Sequence, residues 1–231
     1  MTDERQHQID DKSVPVIIIQ FAKWPIKGRV KTRLAKTMGD EAALAAHKLL
    51  TTVVYQNLSR ADIGSLECWF DCLPEGSPID FMGDEFLKNA TPLMLQVGRD
   101  LGERMRHALI LRLSQAEKVL LVGSDCPAVC SDYLHEACLA LEHHDAVLGP
   151  AEDGGYVLIG VSRRILSKLV SIEGNRDRFL SQISWGSASV LEETLENFKQ
   201  CKVSYQLLPE LWDVDDESDW QRFQDLPRKS G

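Results

Sequence analysis

The feature that most constrains the fold is a short apolar run, Val119 to Val122, which is followed by Gly123 and Asp125. A run without alternating polar residues is typical of a strand that is buried on both faces of a parallel sheet. Ligands of open α/β sheets bind just beyond the carboxyl ends of the strands. Asp125 therefore falls where a carboxylate can hold a metal ion or a substrate, although capping of the following turn explains an aspartate there equally well.

Similar patterns along the chain predict strands that alternate with helices. The predicted strands lie at 14–22, 66–70, 93–97, 119–122, 145–150, 156–161 and 203–208. The predicted helices begin near residues 40 and 189, cover 84–87, 101–113 and 131–142, and include a short one near the end of the chain. This alternation indicates a layered α/β sandwich with a mostly parallel sheet, and the Gly-Gly turn before residue 156 indicates one antiparallel strand.

Residue spacing gives two further expectations about these helices. In the helix from residue 189, Ser189 and Glu192 have the spacing of a capping box. The helix from residue 40 is expected to bury one apolar face at helical spacing. That face is formed by Ala42, Ala46, Leu49, Leu50 and Val53.

Length and composition indicate a single domain over residues 14–226 and a flexible tail over residues 1–13. The chain has 231 residues and a net charge of -9, which argues against nucleic acid as a partner. It has no signal-peptide core and no apolar run long enough to span a bilayer, so a soluble cytoplasmic protein is expected. The six cysteines lack the spacing of a zinc ribbon, and none of the six histidines is assigned a role.

A cluster of basic residues follows the first predicted strand in this otherwise acidic chain. Lysine supplies a point charge and arginine a forked donor, as a diphosphate or triphosphate requires, and glycine allows a close backbone approach. A solvated surface loop is an equally good explanation. Lys31 and Arg33 are the stronger phosphate candidates because they are closest to the next helix. The whole cluster consists of Lys23, Lys27, Gly28, Arg29, Lys31 and Arg33.

Acidic residues recur at two later junctions. Glu152 and Asp153 precede Gly154 and Gly155 in a turn between two strands, where turn geometry alone explains all of them. If this turn faces the same edge of the sheet as Asp125, one of its carboxylates is placed to act as a general base or a metal partner.

Asp213 and Asp215 form the second acidic junction. They alternate along the chain, so an extended backbone would point both toward one ion. Such hard oxygen ligands suit Mg2+ or Mn2+. At a third polar junction, Asp100 and Glu103 are explained by capping of the next helix, which ranks above phosphate binding by the neighbouring arginines at 99 and 104.

A set of short motifs occurs in order along the chain: Phe21–Pro25, Gly28–Leu34, Gly98–Met105, Gly123–Pro127, Gly149–Tyr156, Trp185–Ser187 and Asp213–Asp215. Taken together, these motifs resemble those of the DUF2064 proteins, the selenodomain-associated transferase 1 family of GT-A-like glycosyltransferases. The resemblance covers about residues 14–220, and the combination of motifs is more specific than any one of them.

The resemblance implies a three-layer α/β/α Rossmann-like sandwich, the nucleotide-diphospho-sugar transferase fold. It also implies that Ala22 and Lys23 flank a nucleotide and that Lys31 and Arg33 contact its phosphates. Asp125 would hold the metal, and the turn with Asp153, Gly154 and Gly155 would lie on the acceptor side. This chain has Ser-Asp-Cys rather than Asp-x-Asp at the metal position, so Asp213 or Asp215 is needed to complete the ligand set.

The leading expectation is a metal-dependent glycosyltransferase that uses a nucleotide-sugar donor, with Mg2+ or Mn2+ as its ion. The segment from Val30 to Leu34 also resembles that of 2-phospholactate guanylyltransferases, which implies nucleotidyl transfer with release of pyrophosphate as an alternative. The second alternative is a non-catalytic nucleotide-binding protein.

Overall fold

The computed structural model describes residues 14–72, 79–171 and 174–226, so the predicted tail at residues 1–13 lies outside the described residues. The strands are β1 (Val14–Ala22), β2 (Ser65–Phe70), β3 (Leu93–Leu95), β4 (Ala116–Val122), β5 (Ala146–Pro150), β6 (Tyr156–Ser162) and β7 (Tyr205–Leu207). The helices are α1 (Thr32–Met38), α2 (Asp40–Arg60), α3 (Ile79–Met82), α4 (Asp84–Lys88), α5 (Leu101–Leu113), α6 (Ser131–His143), α7 (Ile165–Ser171), α8 (Asn175–Arg178), α9 (Val190–Gln200) and α10 (Glu217–Gln224).

The strands form one seven-stranded sheet in the order β3-β2-β1-β4-β6-β5-β7. Strands β1 to β4 are mutually parallel, and β6 runs antiparallel to both β4 and β5. The mixed, mostly parallel α/β sheet predicted from the sequence is therefore confirmed. The turn with Gly154 and Gly155 connects β5 to β6, as the sequence indicated.

Helices cover both faces of the sheet, which makes three layers. Along β1, Ile17 and Ile19 contribute to a core cluster that also contains residues of α5, α7 and α9. Ile18 points to the opposite face, where the core cluster contains residues of α2 and α6. Because β1 and β4 are buried on both faces, their apolar runs show no alternation with polar residues.

The predicted apolar face of α2 is only partly right. Ala46 and Leu50 are buried, but Leu49 is 47% exposed, and the polar residues His47 and Thr51 are buried instead. Thr51 satisfies its hydroxyl by donating to the carbonyl of His47, so burial of this polar residue leaves no unpaired donor.

The predicted capping box at Ser189 is wrong. Ser189 precedes α9, but its side chain accepts no capping hydrogen bond from a backbone N–H of the first turn and donates instead to Oε1 of Glu193 at 2.7 Å, rather than pairing with Glu192. The described residues do contain a capping box at the start of α10, between Asp216 and Asp219. The structure also contains α1, α3, α7 and α8, which were not predicted, and α1 begins at Thr32, within the cluster of basic residues that follows β1.

Within the described residues, no helix combines the length and the apolar character that crossing a membrane requires.

Candidate functional site

A cleft of about 640 Å³ lies at the carboxyl ends of β1 and β4. These two strands are neighbours in register, with Gln20 of β1 opposite Val122 of β4, so the residues that follow them meet at one edge of the sheet. The turn between β5 and β6 reaches the same edge, because Val122 also pairs with Leu158 of β6. The charged residues that line the cleft include Lys23, Lys31, Arg33, Asp71, Arg104, Asp125, Asp153, Asp213 and Asp215.

Three of these carboxylates, from Asp125, Asp213 and Asp215, form an acidic cluster. One oxygen from each lies within 4.8 Å of the others. The segment that carries Asp213 and Asp215 lies beside the loop after β4. The backbone N–H of Val214, between the two aspartates, donates to the carbonyl of Asp125 at 3.0 Å. Trp212 and Val214 are buried in a small apolar cluster, and the alternating aspartates therefore face the cleft.

Lys31 lies directly against the acidic cluster. Its Nζ donates to Oδ2 of Asp125 at 2.8 Å and to Oδ1 of Asp215 at 3.2 Å, and its side chain is only 6% exposed. Its backbone, at the residue preceding α1, is in the left-handed region with φ 45° and ψ 48°. A residue other than glycine rarely adopts this conformation unless its surroundings hold it there, which is common at ligand sites.

The charges in the cluster are unevenly balanced. Burial lowers the pKa of Lys31, but the charges of Asp125 and Asp215 outweigh it and raise that pKa above its ordinary value. Burial likewise raises the pKa of Asp125, but the charge and hydrogen bond of Lys31 outweigh burial and leave the pKa of Asp125 lowered. Within the described part of the chain Asp213 has no hydrogen-bonded cation, and burial and then the charges of Asp125 and Asp215 outweigh the opposing charge of Lys31 and raise the pKa of Asp213 to about 7.

The donor set fits a hard divalent cation. All three side chains offer carboxylate oxygens, which are the ligands that Mg2+ and Mn2+ prefer. Among the described residues Asp213 makes no ion pair, so the cluster carries more negative charge than Lys31 balances. A second cation between Asp125, Asp213 and Asp215 would relieve this imbalance.

The basic residues after β1 have different surroundings. Arg33 donates from Nη1 to Oδ2 of Asp215 at 3.2 Å, with a side chain that is 62% exposed. Lys23 lines the cleft, and its carbonyl is 2.9 Å from Nε2 of His47. Lys27 pairs with Glu41, and neither Lys27 nor Gly28 is among the residues that line the cleft. The structure thus brings Lys23, Lys31 and Arg33 together and leaves Gly28 outside.

Hydrogen bonds from one glutamine side chain connect the ends of β1 and β2. Nε2 of Gln96 donates to the carbonyl of Ala22 at 3.0 Å and to the carbonyl of Trp69 at 2.9 Å. Ala22 itself is buried and lines the cleft. The sequence predicted Ala22 as a nucleotide contact, whereas Gln96, at the start of the third polar junction, was assigned no role.

The turn between β5 and β6 separates its predicted site residues. Asp153 and Gly155 line the cleft, and Oδ1 of Asp153 accepts from the N–H of Gly155 at 2.8 Å. Glu152 is outside the cleft lining, and its carboxylate accepts two hydrogen bonds from Nη1 of Arg222, at 3.1 and 2.9 Å.

Gly154 is likewise outside the cleft lining and has a packing role. Its φ of +87° is in the left-handed region, and a Cβ built there would lie 2.2 Å from the carbonyl oxygen of Ala188. Its own carbonyl accepts from the N–H of Leu191. Gly154 therefore fixes the turn against the start of α9.

Several residues of the cleft were not assigned a role from the sequence. His47 lies on a helix face that was not predicted to be buried; burial lowers the pKa of its imidazole, against the opposing hydrogen bond to the carbonyl of Lys23. Arg104 lines the cleft and donates to the carbonyl of Gly98, whereas Arg99 pairs with Glu103 on the surface. The capping explanation of Asp100 is confirmed, because its side chain accepts from the N–H of Glu103.

Trp185 also lines the cleft, and the only sequence signal for it was its place in the Trp185–Ser187 motif. Its ring meets the ring of Tyr156 edge to face at 6.3 Å. It also lies so close to Gly102 that a Cβ there would be 3.0 Å from the indole.

Comparison with known proteins identifies a matching family and a similar solved structure. Residues 73–187 match the family of uncharacterized proteins conserved in bacteria, DUF2064. A solved structure from Desulfovibrio desulfuricans G20, described as a putative nucleotide-diphospho-sugar transferase, is 30% identical, with a TM-score of 0.78 over 94% of this chain and 89% of that one. No curated protein sequence matches.

More distant solved structures share the fold alone. The manganese complex of Rv0371C from Mycobacterium tuberculosis H37Rv is 13% identical, with a TM-score of 0.54 over 93% of this chain and 100% of that one. A 4-diphosphocytidyl-2C-methyl-D-erythritol synthase from Anaerococcus prevotii DSM 20548 is 12% identical, with a TM-score of 0.55 over 91% and 95%.

Proposed function

Because this chain belongs to the DUF2064 family and has the nucleotide-diphospho-sugar transferase fold, we propose that it is a metal-dependent glycosyltransferase that uses a nucleotide-sugar donor. The observation that carries the proposal is the acidic cluster of Asp125, Asp213 and Asp215 with Lys31 inside the cleft. A cleft of about 640 Å³ is large enough for such a donor.

The charged residues of the cleft have different roles in the proposed reaction. Asp125, Asp213 and Asp215 would hold Mg2+ or Mn2+, whose charge stabilises the diphosphate as it departs from the sugar. Lys31 and Arg33 lie beside the same carboxylates and would contribute positive charge toward the departing oxygens. The fold brings all of these groups to one edge of the sheet, where the negative charge develops.

In the proposed reaction, Asp153 is the general base that takes a proton from the acceptor. Its carboxylate lines the cleft near the acidic cluster and is close enough to Asp213 to raise the pKa of that residue. A hydroxyl group held against Asp153 would lose its proton to the carboxylate as it attacks the sugar. Glu152 is not assigned this role, because its carboxylate is paired with Arg222.

The nucleoside is assigned to the part of the cleft beside β1 and β2. Ala22, Lys23, Asp71 and Gln96 line that part. Gln96 donates to the carbonyl of Ala22, and His47 lies against the carbonyl of Lys23, so side-chain hydrogen bonds hold the backbone at the end of β1 where a base and ribose would contact it.

Thermal unfolding against a panel of nucleoside diphosphates, with and without Mn2+, tests the proposal. A ligand that binds only the folded chain adds about 2.7 kcal/mol of stability at a hundred times its dissociation constant. We expect one diphosphate to raise the melting temperature only when Mn2+ is present. Asp125→Asn should abolish this response and sugar transfer, while the control Asp132→Asn, an exposed residue on α6, should keep both.

Two other results would contradict glycosyl transfer and indicate a different function. A response confined to one nucleoside triphosphate, with pyrophosphate released, would identify nucleotidyl transfer instead. The cytidylyltransferase fold of several similar structures makes this the second reaction to assay. Absence of any response to nucleotides would contradict both reactions and favour a different use of the cleft.

A further inference from the structure

Lys31 has two roles that it cannot fill at the same time. As a phosphate ligand it must present its ammonium group to the donor. In the structure the same ammonium group lies between Asp125 and Asp215, at 2.8 and 3.2 Å, and is almost completely shielded from solvent. It therefore engages two of the three carboxylates that would bind a divalent cation.

We infer that the cleft takes the divalent cation and the diphosphate together, as one chelate, because Lys31 occupies the ligands of the cation until phosphate oxygens draw it away. The inference rests on the proposed function and specifies the form in which the substrate binds. A free cation must compete with a buried ammonium group for Asp125 and Asp215. A chelate supplies the anionic oxygens that Lys31 then contacts.

The backbone of Lys31 allows this exchange without moving the loop. Its neighbours are anchored, since Val30 is 2% exposed and Leu34 is 0% exposed. The carbonyl of Lys31 accepts from the N–H of Ala35 at the start of α1. The change is therefore confined to the four-carbon side chain, which is flexible and carries a compact charge.

Electrostatics gives the direction of the effect. Two cations held by the same carboxylates repel each other, so binding of a free cation is weakened while Lys31 remains in place. Hydrogen bonds between an ammonium group and phosphate oxygens are charge-assisted, so the diphosphate removes this competition. Because coupling between two ligands is reciprocal, the cation must raise the affinity for the diphosphate by the same factor.

Arg33 and Lys27 differ from Lys31 in ways that provide controls. Arg33 pairs with Asp215 and is 62% exposed, so its side chain can move away into solvent. Lys27 lies on the same loop and pairs with Glu41 outside the cleft. Replacing Lys27 removes the same charge from the chain without changing the acidic cluster.

The first experiment measures binding of Mn2+ alone, by the electron paramagnetic resonance signal of free Mn2+ during titration of the full-length chain. Lys31→Met should bind Mn2+ on the order of tenfold more tightly than the wild type, within the range usual for coupled sites. Lys27→Met should bind it as the wild type does. Lys31→Arg, which retains the cation, should also remain weak.

The second experiment measures binding of magnesium pyrophosphate by calorimetry, because this probe requires no knowledge of the base or sugar. Here the order should reverse, with Lys31→Met binding the chelate more weakly than the wild type. A gain for the free ion combined with a loss for the chelate distinguishes exchange of Lys31 from a merely structural role. Lys31→Gln provides a second neutral variant if the methionine variant does not fold.

The outcomes separate this inference from the proposed function. If the wild type binds magnesium pyrophosphate but neither neutral variant binds Mn2+ more tightly than the wild type, the exchange of Lys31 is refuted and the proposed function stands. If the wild type and both neutral variants bind neither Mn2+ nor the chelate, the metal site is refuted and both fall.

Discussion

Replacing Asp213 with asparagine should change how the stability of the folded chain depends on pH. Burial and then the charges of Asp125 and Asp215 raise the pKa of Asp213 from 3.8 to about 7 in the folded state. The folded chain therefore binds this proton more tightly than the unfolded chain does. The contribution of Asp213 is most favourable below its unfolded pKa and is lost as the pH rises toward 7.

The magnitude follows from the two pKa values. Between about pH 5 and pH 8, ionisation of Asp213 lowers the free energy of unfolding by about 2.6 kcal/mol, since each pKa unit corresponds to about 1.4 kcal/mol. The Asp213→Asn side chain has nearly the same shape and does not ionise. The variant should therefore lack this decline and become more stable than the wild type at the higher pH.

The assay is urea unfolding of both chains at the two pH values, with a chelator present so that no divalent cation binds. Asp132→Asn, at an exposed residue, should retain the pH dependence of the wild type. Parallel stability profiles for the wild type and Asp213→Asn would refute the reasoning, because they would mean that burial and the neighbouring carboxylates do not raise the pKa of Asp213 in the folded chain.

Two further predictions concern the turn between β5 and β6. Gly154→Ala should destabilise the chain by more than about 1 kcal/mol in urea unfolding. The backbone of Gly154 is left-handed, and the added Cβ would lie 2.2 Å from the carbonyl oxygen of Ala188. An unchanged midpoint of unfolding would contradict this packing. Glu152→Gln should leave turnover unchanged and alter the free energy of unfolding by less than about 1 kcal/mol, because it removes only a half-exposed ion pair with Arg222. Loss of turnover in Glu152→Gln would instead place this carboxylate in the reaction.

The sequence was sufficient to predict the sheet because its central strands are buried on both faces. Burial of β1 and β4 requires uninterrupted apolar residues, and these runs are visible without knowledge of the partner strands. The meeting of Lys31 with Asp125 follows in part from the same rule, since parallel neighbours bring their carboxyl ends to one edge.

Other parts of the site depend on distances that the sequence does not contain. Lys31 and Asp215 are 184 positions apart, and only the folded chain shows that the lysine contacts carboxylates rather than solvent. Glu152 and Asp153 are adjacent and chemically alike, yet only Asp153 lines the cleft. Local spacing cannot predict which of two neighbouring side chains in a tight turn faces a ligand.

The burial of His47 is a second feature of the site that the sequence does not predict. The apolar spacing of α2 predicts a buried face that includes Leu49, whereas the helix packs so that His47 is buried and Leu49 is half exposed. The hydrogen bond between the imidazole and the carbonyl of Lys23 makes this burial acceptable. A polar side chain that is paired with a backbone carbonyl far away in the sequence leaves no pattern that predicts its burial.

The position of Asp213 and Asp215 in the chain has a consequence for biosynthesis. A ribosome finishes all seven strands before it adds these two residues, since β7 ends at Leu207. A product released by premature termination after β7 would contain every strand of the sheet but only one of the three clustered carboxylates. A stop codon between those for Leu207 and Asp213 would therefore remove two carboxylates of the acidic cluster but no strand of the described sheet, so a test for the sheet alone would not detect the loss.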